Sequence, residues 1–121
     1  MPPSATGSNR PSRGEIWLAS FGAAREGEPG KNRPAVILSI DDLSTGSGRD
    51  LVVVVPLSSS ATPTPLTPIV STGEGVDAQS VAVCRAVRSI ARRRLIKKVG
   101  TARRDTLRGI EHSLGLILGL E

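Results

Sequence analysis

Aromatic residues are nearly absent from this 121-residue chain, which contains one Trp, one Phe and no Tyr. A sheet that reads single strands by stacking bases on several rings is therefore excluded. The chain also has a single cysteine, Cys84, and a single histidine, His112. One cysteine cannot form an internal disulfide, and one Cys with one His is too small a ligand set for zinc. We therefore expect no metal and no other cofactor.

Long apolar segments are absent as well. No apolar run reaches the length of about 18 residues that a membrane-spanning helix needs. Near the N-terminus, Arg10 and Arg13 are not followed by the apolar stretch of a signal peptide. Apolar residues make up 38% of the chain and charged residues 22%, a globular composition. These features predict one cytoplasmic domain that does not associate with a membrane.

The order of segments predicts a short tail followed by strands. Residues 1–12 are rich in Pro, Ser, Gly and Asn, and we expect a flexible tail there and a single folded domain over 13–121. Residues 15–20 alternate apolar and polar side chains, which indicates a strand. The continuous Val- and Ile-rich runs at 34–40 and 51–57 are typical of strands that are covered on both faces.

The second half of the chain predicts further strands and then a helix. Strands are expected at 69–72 and 80–87, which makes five or six in all. Thr101 and Asp105 are candidate N-caps of the helix. Its apolar residues fall at helical spacing: Leu107, Ile110, Leu114, Ile117 and Leu118. Because the connections are too short for crossover helices, the pattern favours an antiparallel, mainly β fold, a small curled sheet or barrel with a C-terminal helix.

Positive charge is concentrated in one stretch of the sequence. The formal net charge of the whole chain is +5, and residues 84–108 alone contain ten Lys or Arg against one acid. Those ten are Arg85, Arg88, Arg92, Arg93, Arg94, Lys97, Lys98, Arg103, Arg104 and Arg108. An electrostatic surface for nucleic acid is the favoured interpretation. A solvated face or a site for an acidic protein partner is the alternative.

Nucleophilic catalysis by Cys84 would need a histidine beside it. The histidine of this chain, His112, lies between Glu111 and Ser113 on the polar side of the predicted helix, where a solvated side chain is expected. Cys84 stands in an apolar segment and is interpreted as a small buried hydrophobic residue.

A more promising set consists of Glu28, Lys31, Arg33 and Ser58. Glu28 and Lys31 belong to a turn after the first strand, and Arg33 precedes Pro34 at the start of the second. Ser58 ends the third strand, so pairing of strands two and three could bring Arg33 and Ser58 to one end of the sheet. A guanidinium, a hydroxyl and a carboxylate suffice for RNA transesterification, because the 2′-hydroxyl of the substrate is the nucleophile. The alternative is that these are ordinary turn and strand-edge residues.

Four segments resemble, in order, the motifs of the MazF/PemK family of toxin endoribonucleases. RGEIWLASF, residues 13–21, resembles the opening strand, and GEPGKNRPAVILS, residues 27–39, resembles the loop and strand with an Arg-Pro pair. VVVVPLSSS, residues 52–60, is similar to the strand that ends in a Thr or Ser. Residues 80–100 resemble the segment that carries the R-[TS]-I and K-[IV]-G motifs.

This resemblance implies an SH3-like small barrel of the CcdB/PemK toxin type that works as a homodimer. The implied protein is the toxin of a type II toxin–antitoxin system, an mRNA interferase that arrests bacterial growth. It would cleave single-stranded RNA at a short sequence without a metal, leaving 2′,3′-cyclic phosphate and 5′-hydroxyl ends. A cognate antitoxin would block the RNA groove with an extended acidic segment.

The resemblance also implies roles for individual residues. Arg33 matches the catalytic arginine of the family, Ser58 its catalytic Thr or Ser, and Glu28 the loop acid. Arg88 matches the motif arginine that is expected to bind phosphate or brace the dimer interface. Arg85 stands where relatives often carry an acid, so a base assigned to that position is missing here. The residues expected to bind RNA are Lys31, Asn32, Ser59, Arg85 and Arg88.

Two alternatives to an endoribonuclease stay open at this point. CcdB-like toxins share the implied fold but act on DNA gyrase through an aromatic-containing C-terminus, whereas this chain has no aromatic residue after Phe21. A non-catalytic RNA-binding relative is compatible with Arg85, although the presence of Arg33 and Ser58 argues against it. The irregular loops at 22–32 and 58–68 are expected to read the RNA sequence.

Overall fold

The computed structural model describes residues 10–22, 31–40 and 50–120. These residues form seven β-strands, three short 3₁₀ helices and one α-helix. The strands are β1 (Glu15–Ser20), β2 (Asn32–Ile37), β3 (Leu51–Ser58), β4 (Ile69–Val70), β5 (Ser80–Ala82), β6 (Arg88–Ala91) and β7 (Leu95–Thr101). The 3₁₀ helices are Thr72–Glu74, Cys84–Ala86 and Arg92–Arg94, and the α-helix, α1, is Arg104–Leu118. Most of the predicted tail and the loop that carries Glu28 lie outside the described residues.

All pairs of neighbouring strands are antiparallel among the described residues, in the order β4-β5-β3-β2-β1-β7. One edge of β3 pairs with two strands in succession: its first four residues pair with β6, and its last two, Leu57 and Ser58, pair with β5. The other edge of β3 pairs with β2.

The short link between β6 and β7 forces this sheet to curl. In a flat sheet, β6 and β7 would lie four strand spacings apart, about 19 Å. They are joined by the three residues Arg92–Arg94, which bridge at most about 14 Å between the strand ends. The backbone N–H of Arg92 also donates to the Asp50 carbonyl at 2.6 Å, which holds the link against the start of β3. The sheet therefore closes towards a half-barrel, and the predicted mainly β fold with a C-terminal helix is confirmed.

Each face of the curled sheet covers its own core, which explains why the apolar runs lack alternation. Ala35, Val36 and Ile37 are all buried, although successive side chains of a strand point to opposite faces. Val36 joins a core with Ile16 and with Ile110 of α1, whereas Ala35 and Ile37 join a core inside the curl of the sheet. The prediction that strands two and three are covered on both faces is confirmed.

The predicted strand at 80–87 is wrong beyond Ala82. The chain leaves the sheet at Val83, whose N–H still donates to the Pro56 carbonyl at 2.9 Å, and forms the 3₁₀ helix Cys84–Ala86. The basic residues that follow, for which the sequence predicts no strand, form β6, the 3₁₀ helix Arg92–Arg94 and then β7. Its side chains are mostly exposed, so it lacks the apolar pattern from which a strand is recognised. This accounts for seven described strands where five or six were predicted.

The helix begins at neither predicted cap. Its N-cap is Arg103, which offers no capping side-chain hydrogen bond. The carboxylate of Glu74, 29 residues earlier in the chain, caps the helix instead: its Oε1 accepts from the Arg103 N–H at 2.7 Å. Glu74 Oε2 also accepts from the backbone N–H of Ser71 at 2.8 Å and from its hydroxyl at 3.2 Å. The prediction that Thr101 or Asp105 is the N-cap is therefore wrong. The N–H group at the start of the helix bonds to a residue from another part of the fold and not to a local side chain.

Two glycines allow the turn that carries Glu74 to lie against β7. A Cβ at Gly100 would overlap the carbonyl of Glu74, and a Cβ at Gly75 would overlap the carbonyl of Val99. Gly75 also has a φ of +116°, in the left-handed region that favours glycine. The turn and the strand are thus in backbone-to-backbone contact, which fixes where the following loop enters the next strand, β5.

Candidate active site

Strand register brings Arg33 and Ser58 to one end of the sheet. Strands β2 and β3 pair from Ile37↔Val54 to Ala35↔Pro56. The same register, continued by two residues, sets Arg33 opposite Ser58. Directly opposed residues of an antiparallel pair project to the same face of a sheet. The expectation that pairing of these strands would bring Arg33 and Ser58 to one end of the sheet agrees with the structure.

Both residues line a cleft of about 310 Å³ at this end of the sheet. Its walls come from the start of β2, the end of β3 and the loop that leads into β5. The lining residues are Asn32, Arg33, Pro34, Leu57, Ser58, Ser59, Ser60, Val76, Asp77, Ala78 and Ser80. The cleft therefore combines a cation, a carboxylate, an amide and several hydroxyls on apolar walls, which is the composition of a site for a polar ligand.

The hydroxyl of Ser58 is held in place by the backbone that follows it. Its Oγ accepts from the N–H groups of Ser60 and Ala61, both at 3.2 Å, and lies 3.3 Å from the Ser60 hydroxyl. A serine hydroxyl has two acceptor positions and one O–H donor. Because two backbone donors occupy the acceptor positions, the Ser58 O–H acts as a donor, either to the Ser60 hydroxyl or to an anionic oxygen in the cleft.

Arg33 is held in the sheet by β1. Its backbone pairs with Ala19 of β1, whereas the pairing of β2 with β3 ends two residues further on, at Ala35. Its side chain is half-buried, and in the described part of the chain its guanidinium forms no hydrogen bond or ion pair. A guanidinium whose donors are not used by the fold is available to a ligand in the cleft, and phosphate is the anion that its planar fork fits best.

The other predicted site residues divide into three groups. Asn32 and Ser59 line the cleft with Arg33 and Ser58, and the exposed Lys31 directly precedes Asn32. Arg85 and Arg88 are exposed but do not line the cleft, and the Arg88 guanidinium lies over the Phe21 ring, 5.6 Å from its centre. Glu28 lies outside the described residues, so its position relative to the cleft stays a prediction.

Asp77 is a cleft residue that sequence reasoning missed. It stands in the loop before β5, in a segment without apolar periodicity or a recognisable motif. The loop reaches the cleft because β5 pairs with the end of β3, with Val81 opposite Ser58. That pairing is not visible in the sequence, since the strand is three residues long and its partner could be any other edge.

The structure argues against nucleophilic chemistry at Cys84. The residue is fully buried, and burial raises the pKa of its thiol, although a hydrogen bond with Ser113 acts in the opposite direction. His112 is exposed on α1, as predicted. Across residues 10–22, 31–40 and 50–120, no cluster of three His, Cys, Asp or Glu side chains could hold a metal ion. No helix in those ranges is long and apolar enough to cross a membrane.

Comparison with known proteins identifies the class to which this fold and cleft belong. The family model described as "PemK-like, MazF-like toxin of type II toxin-antitoxin system" matches residues 12–118, and the chain therefore belongs to this toxin family. Endoribonuclease MazF9 of Mycobacterium tuberculosis (strain ATCC 25618 / H37Rv) is 34% identical over 113 residues, which cover 89% of this chain and 96% of that protein.

Solved structures agree with this assignment. A structure of MazF from Deinococcus radiodurans superposes with a TM-score of 0.74 at 27% identity, covering 90% of this chain and 96% of the other. A MazE-MazF structure from the same organism gives a TM-score of 0.70 at 26% identity, with 90% and 95% of the two chains covered. The half-barrel with its C-terminal helix is thus the fold of this toxin family.

Proposed function

We propose that this chain is a sequence-specific endoribonuclease, the toxin of a type II toxin–antitoxin system that acts on single-stranded mRNA. The observation that carries the proposal is that Arg33 and Ser58 line the same open cleft of a MazF-like fold. The name of the relative MazF9, an endoribonuclease, supports the same activity. The function is assigned to the domain of residues 13–121.

The reaction is transesterification within the RNA. The 2′-hydroxyl attacks the adjacent phosphorus, the bond from phosphorus to the 5′-oxygen breaks, and the products carry a 2′,3′-cyclic phosphate and a 5′-hydroxyl. Negative charge grows on the phosphate oxygens as the 2′-oxygen bonds to phosphorus. Arg33 binds those oxygens through its guanidinium, and the Ser58 O–H donates to one of them.

Two proton transfers complete the step. A base removes the proton of the 2′-hydroxyl, and an acid delivers a proton to the leaving 5′-oxygen. Glu28 is the residue to which we assign the first transfer, on its family position alone. The nucleophile belongs to the substrate, so the protein's tasks are orientation, charge stabilisation and proton movement. No cofactor enters this scheme.

The RNA is expected to extend beyond the scissile phosphate. Asn32 and Ser59 line the cleft beside the proposed catalytic pair, and Lys31 is adjacent and exposed. Arg85 and Arg88 are assigned to more distant phosphates, outside the cleft. Phosphate contacts of this kind give affinity that falls steeply with salt.

The proposed partners follow the family. We expect a homodimer in the bacterial cytoplasm that is inhibited by a cognate antitoxin. A complex named MazE-MazF from Deinococcus radiodurans supports the antitoxin, since its toxin chain shares this fold at 26% identity. The basic stretch of residues 84–108 offers a surface of the charge that an acidic antitoxin segment requires.

The experiment that tests this function is cleavage of a long unstructured RNA by the purified chain in EDTA, with all new ends mapped by sequencing. We expect discrete cuts at one short sequence with cyclic phosphate ends. Arg33→Ala should slow cleavage by about 100-fold or more, as loss of a transition-state donor does. Arg10→Ala, which removes an equal charge at an exposed position outside the cleft, should leave the rate unchanged.

The two alternatives give different results in the same assay. A non-catalytic RNA-binding relative would bind the RNA, leave it intact and keep its effect on growth when Arg33 is replaced by Ala. A gyrase-directed toxin would also leave RNA intact, but it would change DNA supercoiling by gyrase. Either result would contradict the proposed endoribonuclease.

A further inference from the structure

Among the described residues that line the cleft, Asp77 is the single acid. It is exposed, and within the described ranges its carboxylate forms no hydrogen bond or ion pair. The fold therefore does not use this charge. The net charge of the chain is +5, and this carboxylate lies next to the proposed phosphate site without a structural role. It is therefore a candidate for ligand recognition.

The backbone on both sides of Asp77 is anchored. Val76, the preceding residue, is 5% exposed, and Ser80, at the start of β5, is 6% exposed. The Ser80 hydroxyl donates to the Ala78 carbonyl at 2.9 Å, which closes the loop on itself. Before Val76, Gly75 is in close backbone contact with β7. The carboxylate is therefore attached to an anchored backbone, which lowers the entropic cost of ordering it against a ligand.

The charge of Asp77 determines which part of an RNA it can face. A carboxylate repels phosphate oxygens, and this repulsion is strong where water is partly excluded. Arg33 and Ser58 supply the donors that phosphate needs, so the phosphate belongs on their side of the cleft. The part of a nucleotide that presents N–H donors to a carboxylate is the edge of its base.

We propose that Asp77 determines cleavage specificity by accepting hydrogen bonds from the Watson–Crick edge of a guanine in the cleft. Guanine presents two adjacent donors, N1–H and the N2 amino group, which match the two oxygens of a carboxylate. Uracil places a single N–H between two carbonyl oxygens, and adenine and cytosine place an amino group beside an acceptor nitrogen. Each of these bases therefore presents fewer adjacent hydrogen-bond donors to a carboxylate than guanine does. The inference rests on the endoribonuclease activity proposed above.

The test compares cut sequences produced by the wild type and by Asp77→Asn from a pool of randomised RNA. We expect the wild type to favour guanine at one position by about tenfold to 100-fold, the selectivity of a bidentate contact to a base edge. Asp77→Asn should reduce that preference to within about threefold, because an amide offers one acceptor instead of two. Asp105→Asn removes an equal charge on α1, outside the cleft, and should keep the wild-type cut sequence.

A substrate variant tests the same contact without changing the protein. Inosine lacks the N2 amino group of guanine, so inosine at the selected position should slow the wild type by about tenfold and Asp77→Asn by much less. Thermal unfolding of both chains establishes that the variant is folded. Such a coupling between protein and base changes would not arise from a purely structural role.

The possible outcomes separate this inference from the function on which it rests. An unchanged cut sequence in Asp77→Asn overturns the inference and leaves the endoribonuclease intact. Uniformly slower cleavage with the guanine preference retained also overturns it, since this result assigns Asp77 to the chemical step instead. RNA left intact by the wild type overturns the proposed function and this inference together.

Discussion

Glu74 and Asp77 are two carboxylates three residues apart in the segment between β4 and β5, and they differ in burial and in hydrogen bonding. Glu74 is 4% exposed and accepts hydrogen bonds from Ser71 and from the backbone N–H of Arg103. Asp77 is exposed and has no partner in the described part of the chain. The sequence alone offers no reason to separate them, since both are acids in a polar, glycine-containing segment.

The difference separates an acid that stabilises the fold from an acid that the fold leaves available to a ligand. The carboxylate of Glu74 ties the 3₁₀ turn to the N-terminus of α1, where N–H groups would otherwise lack acceptors. This tie fixes the backbone from which Asp77 projects into the cleft a few residues later. The first acid is therefore structural, and its neighbour is free to meet a ligand.

The largest expected effect comes from the backbone contact that positions both acids. Gly100→Ala would drive a methyl group into the Glu74 carbonyl, and neither backbone can move without displacing the turn or β7. We expect a loss of about 3 kcal/mol or more in the free energy of unfolding. Urea denaturation followed by circular dichroism measures it. Gly119→Ala, where a Cβ meets nothing within 4 Å although φ is +71°, is the control and should lose clearly less.

Replacement of Glu74 by Gln should have the next largest effect. Glutamine keeps the shape but removes the charge and turns one acceptor into a donor, which then faces the N–H groups that the carboxylate satisfied. We expect a loss of about 2 kcal/mol in the free energy of unfolding, measured by the same denaturation. A loss below about 0.5 kcal/mol would show that the buried hydrogen bonds of Glu74 do not stabilise the fold.

The pH dependence of stability gives an independent measurement of Glu74. Burial raises the pKa of Glu74, but hydrogen bonds from Arg103, Ser71 and Thr106 outweigh this effect, so that its pKa lies below the ordinary value of 4.5. A carboxylate with a depressed folded-state pKa stabilises the fold above its unfolded pKa and stops doing so as the pH falls through the folded pKa.

Below about pH 4.5, the wild type should therefore lose stability more steeply than Glu74→Gln. Unfolding experiments from pH 7 to pH 2 on both chains measure the difference. The pKa of Glu15 is lowered as well. Burial raises this pKa, but hydrogen bonds from Trp17, Ser12 and Lys98 outweigh the effect of burial. It titrates in both chains, so subtraction of the two profiles isolates Glu74. Parallel profiles would contradict the prediction.

Asp77→Asn should have the smallest effect on stability. The side chain is exposed and the fold makes no use of its charge, so we expect a change within about 0.5 kcal/mol in the free energy of unfolding. This is the same carboxylate-to-amide change as at Glu74, measured by the same denaturation. If the two substitutions destabilise the chain equally, Asp77 has a structural role and the contrast between the two acids is wrong.

Patterns that repeat along the sequence predicted their elements well. Residues 15–20 alternate apolar and polar side chains, and β1 covers that same range. The apolar runs at 34–40 and 51–57 contain most of β2 and β3, and the missing alternation correctly indicated two covered faces. The helical spacing of Leu107, Ile110 and Leu114 predicted α1. In each case the signal is local, because burial repeats with the period of the backbone.

Elements that depend on a distant partner were not predictable in this way. β7 is mostly exposed and contains two lysines, and it is a strand because the curl of the sheet brings it beside β1. The start of α1 was misplaced because its acceptor, Glu74, comes from a different turn. For the site, Arg33 and Ser58 were accessible to reasoning because each stands at the end of an apolar run, whereas Asp77 has no such marker.

Local sequence patterns are enough to predict a mainly β chain with a C-terminal helix, strands buried on both faces, and a guanidinium and a hydroxyl at strand ends. Periodicity, turn residues and charge carry this information, and all of them act between residues that are near in sequence. Tertiary structure decided which ends meet, which of two neighbouring acids is buried and which faces the cleft. These outcomes depend on strand register and on the closure of the sheet, since both join residues that are far apart in the chain.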